Sequence, residues 1–202
     1  MSQLDENAVL NAEKWLNTSI DGQAKQEIIS LRENNVNEFN DAFYRTLEFG
    51  TGGLRGIMGI GTNRMNKYIV AMTTQGFCNY IAENNQGKQI KTVISYDSRN
   101  NSREFAKITA RVMAANGFKV YLFEDIRPTP ELSFAVRELK ADAGVMLTAS
   151  HNPKEYNGYK AYWDDGAQVI EPHDKGIIEE VNKVSEVKSM TKEEAIASGR
   201  LV

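Results

Sequence analysis

Between Thr92 and Leu147 three short apolar runs alternate with two helical ones, and no other feature of the chain narrows its fold so far. Thr92–Tyr96, Lys119–Phe123 and Gly144–Leu147 have the length and apolar content of buried strands. Between the first two, Phe105, Ile108, Thr109, Val112 and Met113 recur at helical spacing, and Leu132, Ala135, Val136 and Leu139 do so between the second pair. Asn101 with Glu104 resembles a capping box for the first helix, Asn116-Gly117 stops it, and Thr129-Pro130 opens the second. A β-α-β-α-β order folds through right-handed crossovers, which predicts an α/β protein: a three-layer α/β/α domain with a mixed, largely parallel sheet. Such sheets bind ligands beyond the carboxyl ends of their strands.

One such end carries Thr148-Ala149-Ser150-His151-Asn152-Pro153-Lys154-Glu155-Tyr156-Asn157-Gly158-Tyr159-Lys160. Ser150 offers a hydroxyl, His151 a titratable ring, and Lys160 a cation. Pro153 stiffens the exit, while Asn152 and Asn157-Gly158 permit tight turns. A hydroxyl that carries a phosphoryl group needs donors and positive charge around the non-bridging oxygens and a rigid backbone for in-line attack. The residues alone leave a second reading open, an ordinary serine in a polar loop beside a surface histidine. A Ser150–His151 hydrolase is disfavoured, because no Gly-x-Ser-x-Gly elbow is present and neighbours in an extended chain point apart.

Upstream, three helical stretches precede a glycine-rich segment. Leu4, Ala8, Ala12 and Trp15 share one face of the first, Ile28 and Leu31 one face of a second opened by Asp21, and Phe39, Ala42, Phe43 and Leu47 one face of a third. These predict a helical extension over residues 1–48 packed on a domain spanning 49–202. Phe49 to Asn66 holds six of the 15 glycines, too dense for a helix and suited to positive φ or to close backbone approach. No register fits a dinucleotide fingerprint, and Thr62 stands where a phosphate-loop lysine would be. Two readings remain for this segment: a surface loop, or a source of fork-shaped phosphate donors from Arg55 and Arg64. Downstream, Tyr159–Trp163 and Gln168–Ile170 read as a hairpin, Pro172 opens a helix with His173 at its start, and Thr191 with Glu194 caps the last one.

Composition limits partners and compartment. With 24 basic and 27 acidic side chains the net charge is −3, and without a basic block nucleic-acid and membrane-surface binding are not expected. The single cysteine, Cys78, cannot pair within the chain, there is no zinc spacing, and no long apolar run or cationic leader occurs. A cytoplasmic location is expected. Asp97 and Arg99, at the end of the Thr92–Tyr96 strand, read as an internal ion pair shaping the site.

Thr148 to Pro153 together with Asn157-Gly158-Tyr159-Lys160 resembles the phosphoserine loop of the α-D-phosphohexomutase superfamily, the phosphoglucomutases and phosphomannomutases. Gly50 to Gly56 is similar to the same family's N-terminal Gly-Thr-Ser-Gly-Leu-Arg motif, with Gly52 in place of Ser, and the string through Asn66 resembles the large phosphoglucomutase/phosphopentomutase branch. The resemblance implies that Ser150 is phosphorylated in the resting enzyme, that its phosphate oxygen binds Mg²⁺, that Lys160 moves a proton, and that Arg55 holds the transferring group. His151 and Arg64 join these as expected phosphate-binding residues. The implied reaction moves phosphate between the 1- and 6-positions of a hexose, or the 1- and 5-positions of a pentose, through a sugar bisphosphate. The resemblance covers only the family's first domain. The remaining metal ligands, a sugar-selecting loop and a phosphate loop belong to C-terminal domains not found before Val202, so this piece alone is expected to turn over little. The alternative is a non-catalytic binding or regulatory module on the same fold.

Overall fold

The computed structural model describes residues 3–18, 20–50 and 52–202. Three helices come first: α1 (Glu6–Leu16), α2 (Gly22–Asn34) and α3 (Val36–Phe43). Asp5, Asp21 and Asn35 cap them by accepting the backbone N–H groups of Ala8, Ala24 and Glu38. Each such cap is worth about 1 kcal/mol. Their inner residues Ala8, Ala12, Ile28, Phe39 and Phe43 are fully buried in one core cluster with Ile94 and Val145 of the sheet.

The rest alternates strand and helix: β1 (Gly53–Ile57), α4 (Lys67–Asn84), β2 (Lys91–Tyr96), α5 (Ser102–Ala115), β3 (Lys119–Leu122), α6 (Thr129–Glu138), β4 (Ala143–Leu147), β5 (Tyr156–Trp163), α7 (His173–Lys183) and α8 (Lys192–Ala197). The sheet runs β1-β5-β4-β2-β3. It is mixed, parallel where β2 meets β3 and β4, and antiparallel where β5 meets β4 and β1. The parallel half is the part joined by helical crossovers. The β4–β5 link is too short for a crossover, so β5 returns antiparallel.

The strand β1 lies inside the glycine-rich segment, where the sequence pointed to a loop. Leu54 and Gly56 are buried and Arg55 and Ile57 exposed, the alternation of a half-covered strand. Glycine is required here for closeness: a Cβ on Gly53 would lie 2.1 Å from the Tyr159 carbonyl oxygen, and one on Gly158 2.6 Å from that of Thr148. Backbone, not ligand, fills that space.

The capping box expected at Asn101 is absent. Asn101 is left-handed at φ 64° and makes no side-chain cap, its amide turning to Met58 Sδ at 3.5 Å. Thr191 and Glu194 do form the reciprocal box of α8. The hairpin after β5 is short, with a single Tyr162–Gln168 bridge. His173 stacks on Trp163 at 4.2 Å and meets the Tyr80 hydroxyl at 2.9 Å, so these rings pack against one another. Cys78 is buried, which pushes its thiol pKa far up and leaves it a core filler. At the β3 edge, residues 200–202 add a short parallel rung, Val120 N–H donating to the Arg200 carbonyl at 2.6 Å and Leu122 N–H to that of Val202 at 3.0 Å. No helix among the described residues is long and apolar enough to cross a membrane.

Candidate functional site

The loop between β4 and β5 leaves the sheet where β2 and β4 end side by side, Tyr96 paired with Leu147. Residues 141–149 are all buried, and Ser150 is the first exposed one after them. Its backbone is left-handed, φ 55°, a conformation costing a non-glycine residue about 1–2 kcal/mol. The turn carries the hydroxyl out of the packed strand end. It also brings Ser150 Oγ to 3.3 Å from His151 Nδ1. That overturns the argument that the two side chains point apart, since the chain here is not extended. Even so, among the described residues the His151 ring has no carboxylate partner to orient it, which a Ser-His-acid triad requires.

Two cations stand on the neighbouring strands. Gly53 is paired with Lys160 and Arg55 with Gly158 across β1 and β5, so Arg55 and Lys160 occupy one face of the sheet as diagonal neighbours. Arg55 Nη1 donates to Asn152 Oδ1 at 2.7 Å, which ties β1 to the serine loop across 97 residues of sequence. Lys160 is half-buried, and burial first and the positive charge of Arg55 second hold its pKa below the usual lysine range. A lysine so placed gives up its proton more readily than a free one.

Arg64 does not join them. Its side chain is 4% exposed, and Nη2 contacts Glu38 Oε1 at 2.7 Å and Asp41 Oδ2 at 2.5 Å, while Nη1 donates to the carbonyls of Asp41 and Asn63. Its expected role as a phosphate donor is therefore corrected: this guanidinium is anchored beneath α3 and fixes the turn after β1.

Sequence reasoning underrated Asp97 and Arg99. The expected ion pair is present, Arg99 Nε facing Asp97 Oδ2 at 3.5 Å. Arg99 also donates to four carbonyls of the serine loop: Nη2 to Ser150 at 2.7 Å and Asn152 at 2.6 Å, Nη1 to Pro153 at 2.9 Å and Tyr156 at 3.1 Å. Asp97 accepts from Thr148 Oγ1 at 2.6 Å, from Ser102 Oγ at 2.7 Å and from the Arg99 N–H at 3.0 Å. Thr148 Oγ1 in turn accepts from the Ser150 N–H at 2.9 Å. Buried Asn157 closes the ring, donating to Ser102 Oγ and the Asn100 carbonyl.

Among the described residues no three His, Cys, Asp or Glu side chains cluster as a metal site. The donors present fit at most a share in one: a phosphate on Ser150 would offer oxygens suited to a hard divalent cation.

Fold and site together define an α/β/α domain presenting one exposed serine among cations at the end of a mixed sheet. Residues 46–188 match the family described as phosphoglucomutase/phosphomannomutase, alpha/beta/alpha domain I, and the chain belongs to that family. It is 45% identical over 194 residues to a phosphopentomutase of Homo sapiens, covering 90% of this chain and 31% of that protein. With a phosphoglucomutase of Staphylococcus epidermidis the identity is 50% over 132 residues, 65% of this chain and 24% of the relative. A phosphomannomutase crystal structure from Thermus thermophilus superposes with a TM-score of 0.66 at 31% identity, over 73% of this chain and 32% of that one. The chain thus spans under a third of these relatives' length.

Proposed function

We propose that this chain is the phosphoserine-bearing first domain of a phosphosugar mutase, with Ser150 the residue that stores the transferable phosphoryl group. The observation that carries the reading is the left-handed turn that lifts Ser150 out of a buried strand end, beside His151 and in a loop tied to Arg55, whose charge Lys160 senses. Residues 49–202 form the domain and 1–48 its helical extension.

A sugar hydroxyl attacks the phosphorus of phosphoserine, the P–O bond to Ser150 Oγ breaks, and that oxygen takes up the proton the attacking hydroxyl loses. Lys160, with its lowered pKa, would relay this proton. Arg55 and His151 supply donors for the charged phosphoryl oxygens. Mg²⁺, when bound through a phosphate oxygen, would offset the same charge, with its other ligands in further domains of a longer chain. Returning the phosphate from the opposite end of a sugar bisphosphate regenerates phosphoserine. Transfer between the 1- and 6-positions of a hexose is the favoured substrate reading, and the relatives' names leave a pentose or mannose phosphate as the nearest variants. A cytoplasmic setting suits such metabolites.

Intact-mass measurement after incubation with glucose 1,6-bisphosphate and Mg²⁺ tests this in a longer protein containing the chain. A single added phosphoryl group lost in Ser150→Ala is the expected result. An unmodified Ser150 would instead favour a binding or regulatory module. Multiple turnover of glucose 1-phosphate by the 202-residue chain alone would refute the division of labour between domains.

A further inference from the structure

We infer that Asp97 and Arg99 are a positioning pair that holds Ser150 in its left-handed conformation, and that Arg99 acts as a backbone clamp and not as a phosphate ligand. The inference rests on Ser150 being the working hydroxyl, and it adds what keeps that hydroxyl aimed.

Both peptide groups that flank Ser150 are held. On the amino side, the Ser150 N–H donates to Thr148 Oγ1, and Thr148 donates to Asp97 Oδ2. On the carboxyl side, the Ser150 carbonyl accepts from Arg99 Nη2, and Arg99 Nε faces the same Asp97 oxygen. One carboxylate therefore steadies both ends of the strained residue. A positive φ at a non-glycine residue persists only where its surroundings over-determine it, and this closed ring supplies that constraint.

Donor counting separates clamp from ligand. A guanidinium has five N–H groups. Four of those on Arg99 go to the carbonyls of Ser150, Asn152, Pro153 and Tyr156, and the fifth faces Asp97. No Nη hydrogen remains for a phosphate. Arg55, by contrast, uses one nitrogen on Asn152 and is exposed. The four carbonyls span residues 150–156, so Arg99 ties the whole turn to one side chain. Lysine cannot replace it, because three donors on one nitrogen do not reach four divergent acceptors.

The test uses NMR of the 202-residue chain, reading the Ser150 Cα and Cβ shifts, which report its backbone dihedrals, and amide exchange at Ser150 and Asn152. Arg99→Lys is expected to move the Ser150 shifts away from left-handed values and to speed exchange at these two amides by about tenfold, with β2 and β4 amides unchanged. Arg99→Ala should do the same or more. Adding Ser150→Gly to Arg99→Lys should restore slow exchange at Asn152, since glycine takes positive φ without strain. Unaltered Ser150 shifts in Arg99→Lys would overturn the inference, as would loss of protection spread evenly through the sheet. The readout is backbone geometry, so its failure leaves the phosphoserine reading intact, and failure to phosphorylate Ser150 leaves the clamp intact.

Discussion

The two arginines that flank the glycine-rich turn differ in a single respect that decides their work. Arg64 meets carboxylates, Glu38 and Asp41 of α3, and lies buried beneath them. Arg55 meets a neutral amide, Asn152, and stays exposed. Two arginines nine residues apart thus give one cation bound into the fold and one with no carboxylate partner among the described residues. The difference teaches that a guanidinium near a site is read by what already neutralises it.

The comparison breaks most decisively at the serine. Ser150→Ala should abolish phosphoryl capture from a sugar bisphosphate in a longer protein while leaving the melting temperature near that of the parent, as intact mass and calorimetry would show. Next in size, Arg64→Met removes a buried cation and leaves Glu38, Asp41 and two carbonyls without it. Urea denaturation should record a loss of about 2–3 kcal/mol. Arg55→Met is expected to stay within about 0.5 kcal/mol, as surface changes usually do, but to weaken phosphate binding. Equal stability losses at the two positions would erase the distinction drawn between them.

Lys160 sharpens the electrostatic side. Its folded pKa is depressed, so the folded state releases its proton at lower pH than the unfolded chain, and stability attributable to Lys160 rises with pH between the two values, the upper near the ordinary lysine pKa of about 10.4. Arg55→Met should raise the Lys160 pKa part of the way back, burial being the larger cause; side-chain NMR titration measures it. A pKa that does not move would show that the two cations do not sense each other. The smallest effect belongs to Asp21, whose carboxyl is held well below the usual range by bonds to Lys67, Tyr68 and the Ala24 N–H. That contribution is complete above the unfolded aspartate pKa of about 3.9 and is lost as pH falls towards the folded value, so Asp21→Asn should lower stability slightly near neutrality and flatten its acid limb, the two proteins converging at low pH.

The parallel half of the sheet was legible because β2, β3 and β4 are short apolar runs, and the helices between them declare their faces by spacing. The serine loop was legible as a string of residue types. The strand β1 was not, since glycines at 53 and 56 carry no strand propensity and earn their place through contacts with β5 a hundred residues away. Arg64 misled because burial under α3 depends on where a remote helix lands. Asn101 and Glu104 matched a capping pattern, yet the left-handed turn at Asn101 removes the geometry such a cap needs. Arg99 was visible as a neighbour of Asp97, but its grip on the serine loop spans more than fifty residues of separation and leaves no local signature.

The rung formed by residues 200–202 along β3 has a consequence for solubility. Val120 and Leu122 would otherwise present unpaired amides at the rim of the sheet, the template on which foreign strands add and aggregates nucleate. Three residues of chain act there as a gatekeeper. Trimming them is expected to leave the serine loop unchanged and to lower the concentration at which the protein stays dispersed.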